Sequence, residues 1–132
     1  MRVLALDHGA ARCGAAICDV TGELATPLAA IQNPDSRRGL DRVVEVVRER
    51  QAELVVVGLP LTLAGEEGAQ AVEARSFAAR LRERIVPVPV ELWDERLTTR
   101  QAGRTGGATD LDSRAAAHLL EAWLDAHPSK VT

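Results

Sequence analysis

The chain has 132 residues, 46% of them hydrophobic, which is enough for one globular domain with a buried core and too few for a second lobe. Its 16 Lys+Arg against 19 Asp+Glu give a net charge of -3, which argues against a binder that holds nucleic acid by bulk positive charge. Any nucleic-acid contact must therefore be local. The sequence shows no signal-peptide pattern and no apolar run of membrane-spanning length, so we expect a cytoplasmic protein without a membrane partner.

The chain opens with an apolar run of strand length that ends in a carboxylate. Residues 3–6 predict a strand that is covered on both faces, and Asp7 is the first polar side chain after it. Gly9 and Gly14 let the backbone turn tightly and approach a ligand, and Arg12 between them offers a planar cation suited to phosphate. The alternative is a simple hairpin in which Asp7 only bonds the turn backbone.

The next residues predict two more strands in an antiparallel meander. Residues 13–20 form the second strand, 19–22 the turn, and 23–31 the third strand. Cys13 and Cys18 stand five apart on the second strand, so they lie on opposite faces and cannot form a disulfide with each other.

Two helix–strand units follow. The first is an amphipathic helix through Gln51, after capping groups at 33–36, and then a buried strand at 54–57. The second is a helix marked by apolar residues from Ala74 to Ile85, and then a strand at 88–93. Helical crossovers make both strands parallel to the one before, and the prolines beside the last strand place it at an edge.

These elements predict an α/β fold, a five-stranded mixed sheet with three antiparallel strands and then two parallel ones, flanked by helices. Ligands of such sheets bind at the C-terminal ends of the parallel strands. Asp7, Gly58, Asp94 and Glu95 share that edge by this topology. Asp112 extends the core-facing stripe of a last helix into its first turn, toward the same edge, unless it serves only as the helix cap.

Several acids at one sheet edge repel each other unless a cation is present. Mg²⁺ is the hard, oxygen-seeking ion that carboxylates and substrate phosphates share. Two such ions would activate a water and stabilise the leaving oxygen of a phosphodiester. The spacing therefore indicates a nuclease, and it is equally consistent with acids that end strands and helices for structural reasons.

Four blocks, in this order, resemble the YqgF family of candidate pre-16S rRNA nucleases, which is related to RuvC-like resolvases and has a ribonuclease H-like fold. The blocks are Leu6-Asp7-His8-Gly9 with Arg12-Cys13-Gly14, Val57-Gly58-Leu59-Pro60-Leu61 with Gly65 and Gly68, Asp94-Glu95-Arg96-Leu97-Thr98-Thr99, and Asp112-Ser113-Arg114-Ala115-Ala116. The resemblance runs nearly end to end, so it covers residues 1–132 as a single nuclease domain.

The resemblance implies a metal-dependent nuclease, using Mg²⁺ or Mn²⁺, that acts in maturation of the 5′ end of 16S rRNA. Asp7, Glu95 and Asp112 match its catalytic and metal-binding triad. Resolvases of the wider group place an acid at the end of the fourth strand, and this chain has none at 58–60. That task falls to Glu95 or Asp94, so Asp94 is a fourth candidate metal ligand.

The same blocks imply where nucleic acid binds. Arg12, Arg96 and Thr98 match positions that hold the nucleic-acid backbone, and Gly9 lets that backbone approach closely. The expected partner is the 16S rRNA precursor or branched DNA, bound by a monomer or weak homodimer.

Three alternatives stand beside this reading. One is a Holliday junction resolvase-type DNA nuclease, and another is a non-catalytic RNA-binding factor in ribosome assembly or transcription. The third follows from the Asp-x-Gly start, which also opens the phosphate loop of actin-like ATPases. Those enzymes need two lobes around the nucleotide, and 132 residues supply one.

Overall fold

The structure, a computed structural model, describes residues 1–97 and 111–128, without the side chains of residues 111 and 112. Within these ranges the chain forms five strands and three helices. They are β1 (Val3–His8), β2 (Arg12–Cys18), β3 (Ala25–Gln32), α1 (Arg37–Glu49), β4 (Leu54–Leu59), α2 (Ala69–Arg84), β5 (Val90–Asp94) and α3 (Leu111–Ala126), with a 3-10 turn at Glu95–Leu97 between β5 and α3.

The five strands form one sheet in the order β3-β2-β1-β4-β5. β1 is antiparallel to β2, and β2 is antiparallel to β3. β1 is parallel to β4, and β4 is parallel to β5. The predicted meander, the two parallel additions and the edge position of β5 are all confirmed.

Some strand boundaries differ from the predicted ones. β2 ends at Cys18, before Asp19, because the Asp19 carboxylate accepts a hydrogen bond from the Glu23 amide at 2.9 Å and closes the turn. β4 continues to Leu59, beyond the predicted end at Val57, and thereby carries the sheet further toward the C-terminal edge. β5 begins at Val90, since the prolines just before it cannot donate ladder hydrogen bonds.

The helices cover the two faces of the sheet. α1 and α2 pack on the face that holds Leu4 and Leu6, whereas α3 packs on the face that holds Val3 and Ala5. Because strand side chains alternate, Asp7 continues the α3 face. The two cysteines, both buried and free, lie on opposite faces, as predicted.

A buried hydrogen bond fixes the first turn of α3 on the sheet. The Ser113 side chain is fully buried, and its Oγ accepts a hydrogen bond from the amide of Ala15 at 3.2 Å. Ala15 follows an irregularity in the pairing of β2 with β3. Its neighbour Gly14 pairs with Asp7 across the sheet. The start of α3 is therefore held over the strand pair that carries Asp7.

None of the helices in the described ranges is long and apolar enough to cross a membrane.

Ser113→Ala should lower the free energy of unfolding by about 1–3 kcal/mol, because it leaves the buried Ala15 amide without an acceptor. Urea melts of the purified protein measure this change. Ser76→Ala on the exposed side of α2 is the matched control, and it should stay within about 0.5 kcal/mol of the wild type. Equal effects of the two substitutions would show that the hydrogen bond contributes nothing.

Candidate active site

Two carboxyl groups meet at the C-terminal edge of the sheet. Asp7 ends β1, Glu95 begins the turn after β5, and their side chains are hydrogen-bonded to each other. Burial, the hydrogen bond to Asp7 and the charge of Asp7 together raise the pKa of Glu95 to about 7. Near neutral pH the pair therefore shares a proton, as adjacent acids do when no cation separates them.

Glycine at position 58 makes this contact possible. Gly58 lies on β4 and pairs with Trp93 of β5. A Cβ atom added to Gly58 would stand 2.7 Å from Glu95 Oε1 and 3.0 Å from its Cδ and Cγ. Any other residue would therefore push the Glu95 carboxyl group out of its place. The sequence indicated that Gly58 shares this edge, but not that it makes room for Glu95.

Asp94, the other candidate ligand on this segment, has a different partner. Arg96 Nε donates to both carboxylate oxygens of Asp94 at 3.1 Å, and Arg96 Nη2 donates to Oδ2 at 2.7 Å. These hydrogen bonds hold the pKa of Asp94 below its usual value. Of these two neighbouring acids, Glu95 therefore contacts Asp7, whereas Asp94 pairs with Arg96.

Arg96 also contacts the loop that follows β4. Its Nη1 donates to the carbonyl oxygen of Leu63 at 3.4 Å, and it stands 3.3 Å from the point where Gly65 would carry a Cβ. The sequence predicted a nucleic-acid contact for Arg96. The structure shows its guanidinium group bound to Asp94 and braced against this loop.

A pocket of about 150 Å³ opens beside the acid pair. Its walls come from three parts of the chain that meet at the C-terminal edge. They are Asp7, His8, Gly9 and Ala10 after β1, Pro60 after β4 with Gln70 and Glu73 from α2, and Glu95. Gly9, for which the sequence predicted a nucleic-acid contact, lines this pocket. The sequence reasoning missed Gln70 and Glu73, although their i, i+3 spacing early in α2 could have indicated them.

His8 is tied into a network on the other side of the pocket. Its side chain is only 2% exposed, and Nε2 lies 3.0 Å from both carboxylate oxygens of Asp35. Arg80 of α2 binds the same carboxylate at 2.7 Å, and the His8 ring lies 4.9 Å from that of Phe77. The network joins the end of β1 to α2 and to the segment before α1.

The structure describes the remaining predicted site residues to different extents. Arg12 is exposed at the start of β2. Asp112 falls in the first turn of α3, where only its backbone is described. Thr98 lies outside the described residues. Among the described side chains, those of residues 1–97 and 113–128, no group of three His, Cys, Asp or Glu is arranged to hold a metal ion.

The chemistry of Asp7 and Glu95 fits a hard divalent cation. Both offer carboxylate oxygens, the ligands that Mg²⁺ and Mn²⁺ prefer. Burial and the negative charges of Asp7 and Asp94 raise the pKa of Glu95, and a bound cation would lower it again. Two carboxylates do not complete a coordination shell, so any such ion needs further ligands from outside the described side chains or from substrate and water.

Solved structures show the class of fold. RuvC of Thermus thermophilus superposes with a TM-score of 0.70 at 15% identity, over 99% of this chain and 98% of that chain. RuvC of the same organism in complex with a Holliday junction substrate gives a TM-score of 0.69, over 99% of this chain and 97% of that chain. The chain therefore has the ribonuclease H-like fold of RuvC.

Sequence relatives then narrow the class. Residues 1–126 match the family described as RuvX, Holliday junction resolvase. A protein of Rhodococcus erythropolis, described as a candidate pre-16S rRNA nuclease, is 41% identical over 94% of this chain and 77% of its own length. One of Mycobacterium ulcerans with the same description is 41% identical over 94% and 78%. The chain belongs to the RuvX family, which confirms the resemblance drawn from the four blocks.

The raised pKa of Glu95 predicts a pH dependence of stability in the absence of metal. The folded protein holds the Glu95 proton up to about pH 7, whereas the unfolded chain releases it near 4.5, so the free energy of unfolding should fall as pH rises between these values. Glu95→Gln should remove this decline and be more stable than the wild type at pH 8. Urea melts in chelator from pH 5 to 8 measure both.

Glu83→Gln, an exposed position on α2, is the control and should keep the wild-type slope. If Glu95→Gln also kept that slope, Glu95 would have an ordinary pKa and the carboxyl contact with Asp7 would be absent in solution.

Proposed function

We propose that this protein is a nuclease that hydrolyses phosphodiester bonds with a divalent cation held at Asp7 and Glu95, and that its substrate is the 5′ end of the 16S rRNA precursor. The observation that carries the proposal is the contact between these two carboxyl groups at the C-terminal edge of the sheet. Family membership and the names of the relatives support the reaction and the substrate.

Asp7, Glu95 and Asp112 would hold the cation, Mg²⁺ or Mn²⁺, which when bound supplies an activated water and stabilises the leaving oxygen. A carboxylate must be ionised to serve as a ligand, so Glu95 has to lose the proton that it keeps up to about pH 7. Gly58 leaves the space that the Glu95 carboxyl group occupies beside Asp7. We accordingly expect cation affinity to rise with pH through this range.

The residues around the pocket are proposed to bind the substrate. Gly9 lines the pocket after Asp7, and Arg12 and Thr98 are proposed to bind the phosphates of the nucleic acid. Arg96 contributes in a different way, because Asp94 already occupies its Nε and Nη2 donors. Glu73 adds a further carboxyl group to the pocket wall.

Branched DNA is the second candidate substrate. The family description names Holliday junctions, and RuvC with such a junction has the same fold. The active-site chemistry would be the same, because both substrates present a phosphodiester to the acid pair. A protein that binds nucleic acid without cleaving it is the remaining alternative, and the experiment must distinguish it from a nuclease.

Asp7→Asn, Glu95→Gln and Asp112→Asn should each abolish cleavage and leave the fold intact, because each removes a ligand charge and keeps the shape of the side chain. The assay incubates purified protein with a 16S precursor end, a single strand and a four-way junction, each with Mg²⁺, Mn²⁺ or chelator. Glu83→Gln is the control and should cleave like the wild type.

The substrate that is cleaved identifies the substrate class. Loss of cleavage in chelator would show that the reaction needs a divalent cation. Wild-type protein that binds the precursor end and never cuts it would be a binding factor. Near-normal turnover in all three acid variants would remove them from the reaction.

Arg12→Ala should lower the slope of log affinity against log salt by about 0.7 on single strands and 0.9 on duplex, the loss of one phosphate contact. Arg96→Ala should change this slope less, because Asp94 already neutralises its charge. Binding titrations from low to high salt in chelator measure the slopes. Arg42→Ala, an exposed residue paired with Glu49 on α1, should leave the slope unchanged. If Arg96→Ala lowered the slope as much as Arg12→Ala does, Arg96 would have to leave Asp94 to bind phosphate.

A further inference from the structure

A short hairpin between β4 and α2 presents one leucine to solvent. Residues 61–67 turn back on themselves, with a bridge between Leu61 and Glu67. Leu63 near the tip is 96% exposed, the highest value among the exposed large hydrophobic residues of the described ranges. Single exposed leucines are common on proteins, so the meaning of this one depends on how and where it is held.

Hydrogen bonds within the hairpin fix its shape. The Thr62 amide donates to the carbonyl oxygen of Glu66 at 2.9 Å, and the Gly65 amide donates back to that of Thr62 at 2.8 Å. Thr62 Oγ1 accepts the amide of Glu66 at 3.1 Å. Gly65 has a φ of +84°, a conformation that glycine adopts without strain. The tip is thus a closed turn with most of its polar backbone groups paired.

Contacts on both arms attach this turn to the body of the protein. On one side Arg96 donates to the carbonyl oxygen of Leu63 itself and lies against Gly65. On the other, Arg75 of α2 binds both carboxylate oxygens of Glu67 at 2.8 Å. Leu61 packs against a small apolar cluster that includes Leu59, Ala71 and Ala74. The hairpin that carries Leu63 is therefore held in place by contacts with the rest of the protein.

The hairpin adjoins the candidate active site. Pro60, directly before the hairpin, lines the pocket, and Arg96 directly follows Glu95. Leu97, the next residue, is itself 58% exposed. An apolar tip is thus linked through Arg96 to the turn that carries Glu95, on the loop that begins at the pocket wall.

We propose that Leu63 is a wedge that packs against a base beside the scissile phosphate and opens the stack there, which favours substrates cut where paired and unpaired nucleotides meet. The proposal rests on the proposed nuclease function. Aliphatic side chains act as such wedges in several nucleic-acid-binding proteins. Two leucines among charged residues offer too little apolar area for a specific protein interface, which needs about 1,000 Å² in all.

The test uses an RNA stem with a 5′ single-stranded extension, in which 2-aminopurine replaces the base at the paired end, and an unpaired strand of the same sequence. Both are titrated in chelator, so that the fluorescence change and the affinity are read without cleavage. Wild-type protein should raise the fluorescence of the stem substrate. Leu63→Ala should lose this rise and bind the stem about tenfold more weakly, with its affinity for the unpaired strand unchanged.

Two further variants complete the test. Leu63→Phe, which keeps a flat apolar group at the tip, should retain the fluorescence rise. Leu24→Ala, an exposed leucine between β2 and β3 at the opposite edge of the sheet, should behave like the wild type. Urea midpoints of the Leu63 variants should match the wild type, because this side chain is exposed.

Absence of a fluorescence rise in the wild type, or equal weakening of both substrates by Leu63→Ala, would overturn the wedge. Both readouts need only binding, so they remain decisive if the protein proves not to cleave. Loss of cleavage in the acid variants, in contrast, tests the nuclease function and leaves the wedge untouched.

Discussion

The contact between Asp7 and Glu95 must reach across a strand. In the order β1-β4-β5, β4 separates the strand that carries Asp7 from the strand that leads to Glu95. Adjacent strands lie about 4.8 Å apart, so a carboxyl group on the far strand must extend over the middle one. Gly58 permits this because it places no side chain in the path. The geometry of the acid pair thus depends on one missing methyl group.

Charged and hydrogen-bonded pairs around this edge connect its loops to the helices and to one another. Asp94 pairs with Arg96, and Glu67 pairs with Arg75. Asp35 binds both Arg80 and the His8 ring. Most of these side chains are partly exposed, so each pair adds little to global stability. Their effect is to fix the positions of the loops around the candidate site.

The sheet could be predicted from the sequence because apolar runs, turn residues and crossover lengths leave few topologies. The unbroken run at residues 54–57 required a buried strand, and the prolines at 87 and 89 required an edge. The choice between Asp94 and Glu95 could not be predicted, since alternation ends where the strand ends. The pairing of Arg96 with Asp94 was equally hidden, because a guanidinium group next to several acids has more than one partner within reach.

The buried cysteines have a practical consequence for work on this protein. Burial raises the pKa of the Cys13 and Cys18 thiols, and the thiolate is the form that reacts with alkylating reagents and oxidants. Both native thiols should therefore react slowly with such reagents in the folded state. A cysteine introduced on the surface can accept a fluorophore or crosslinker selectively while both native cysteines are retained.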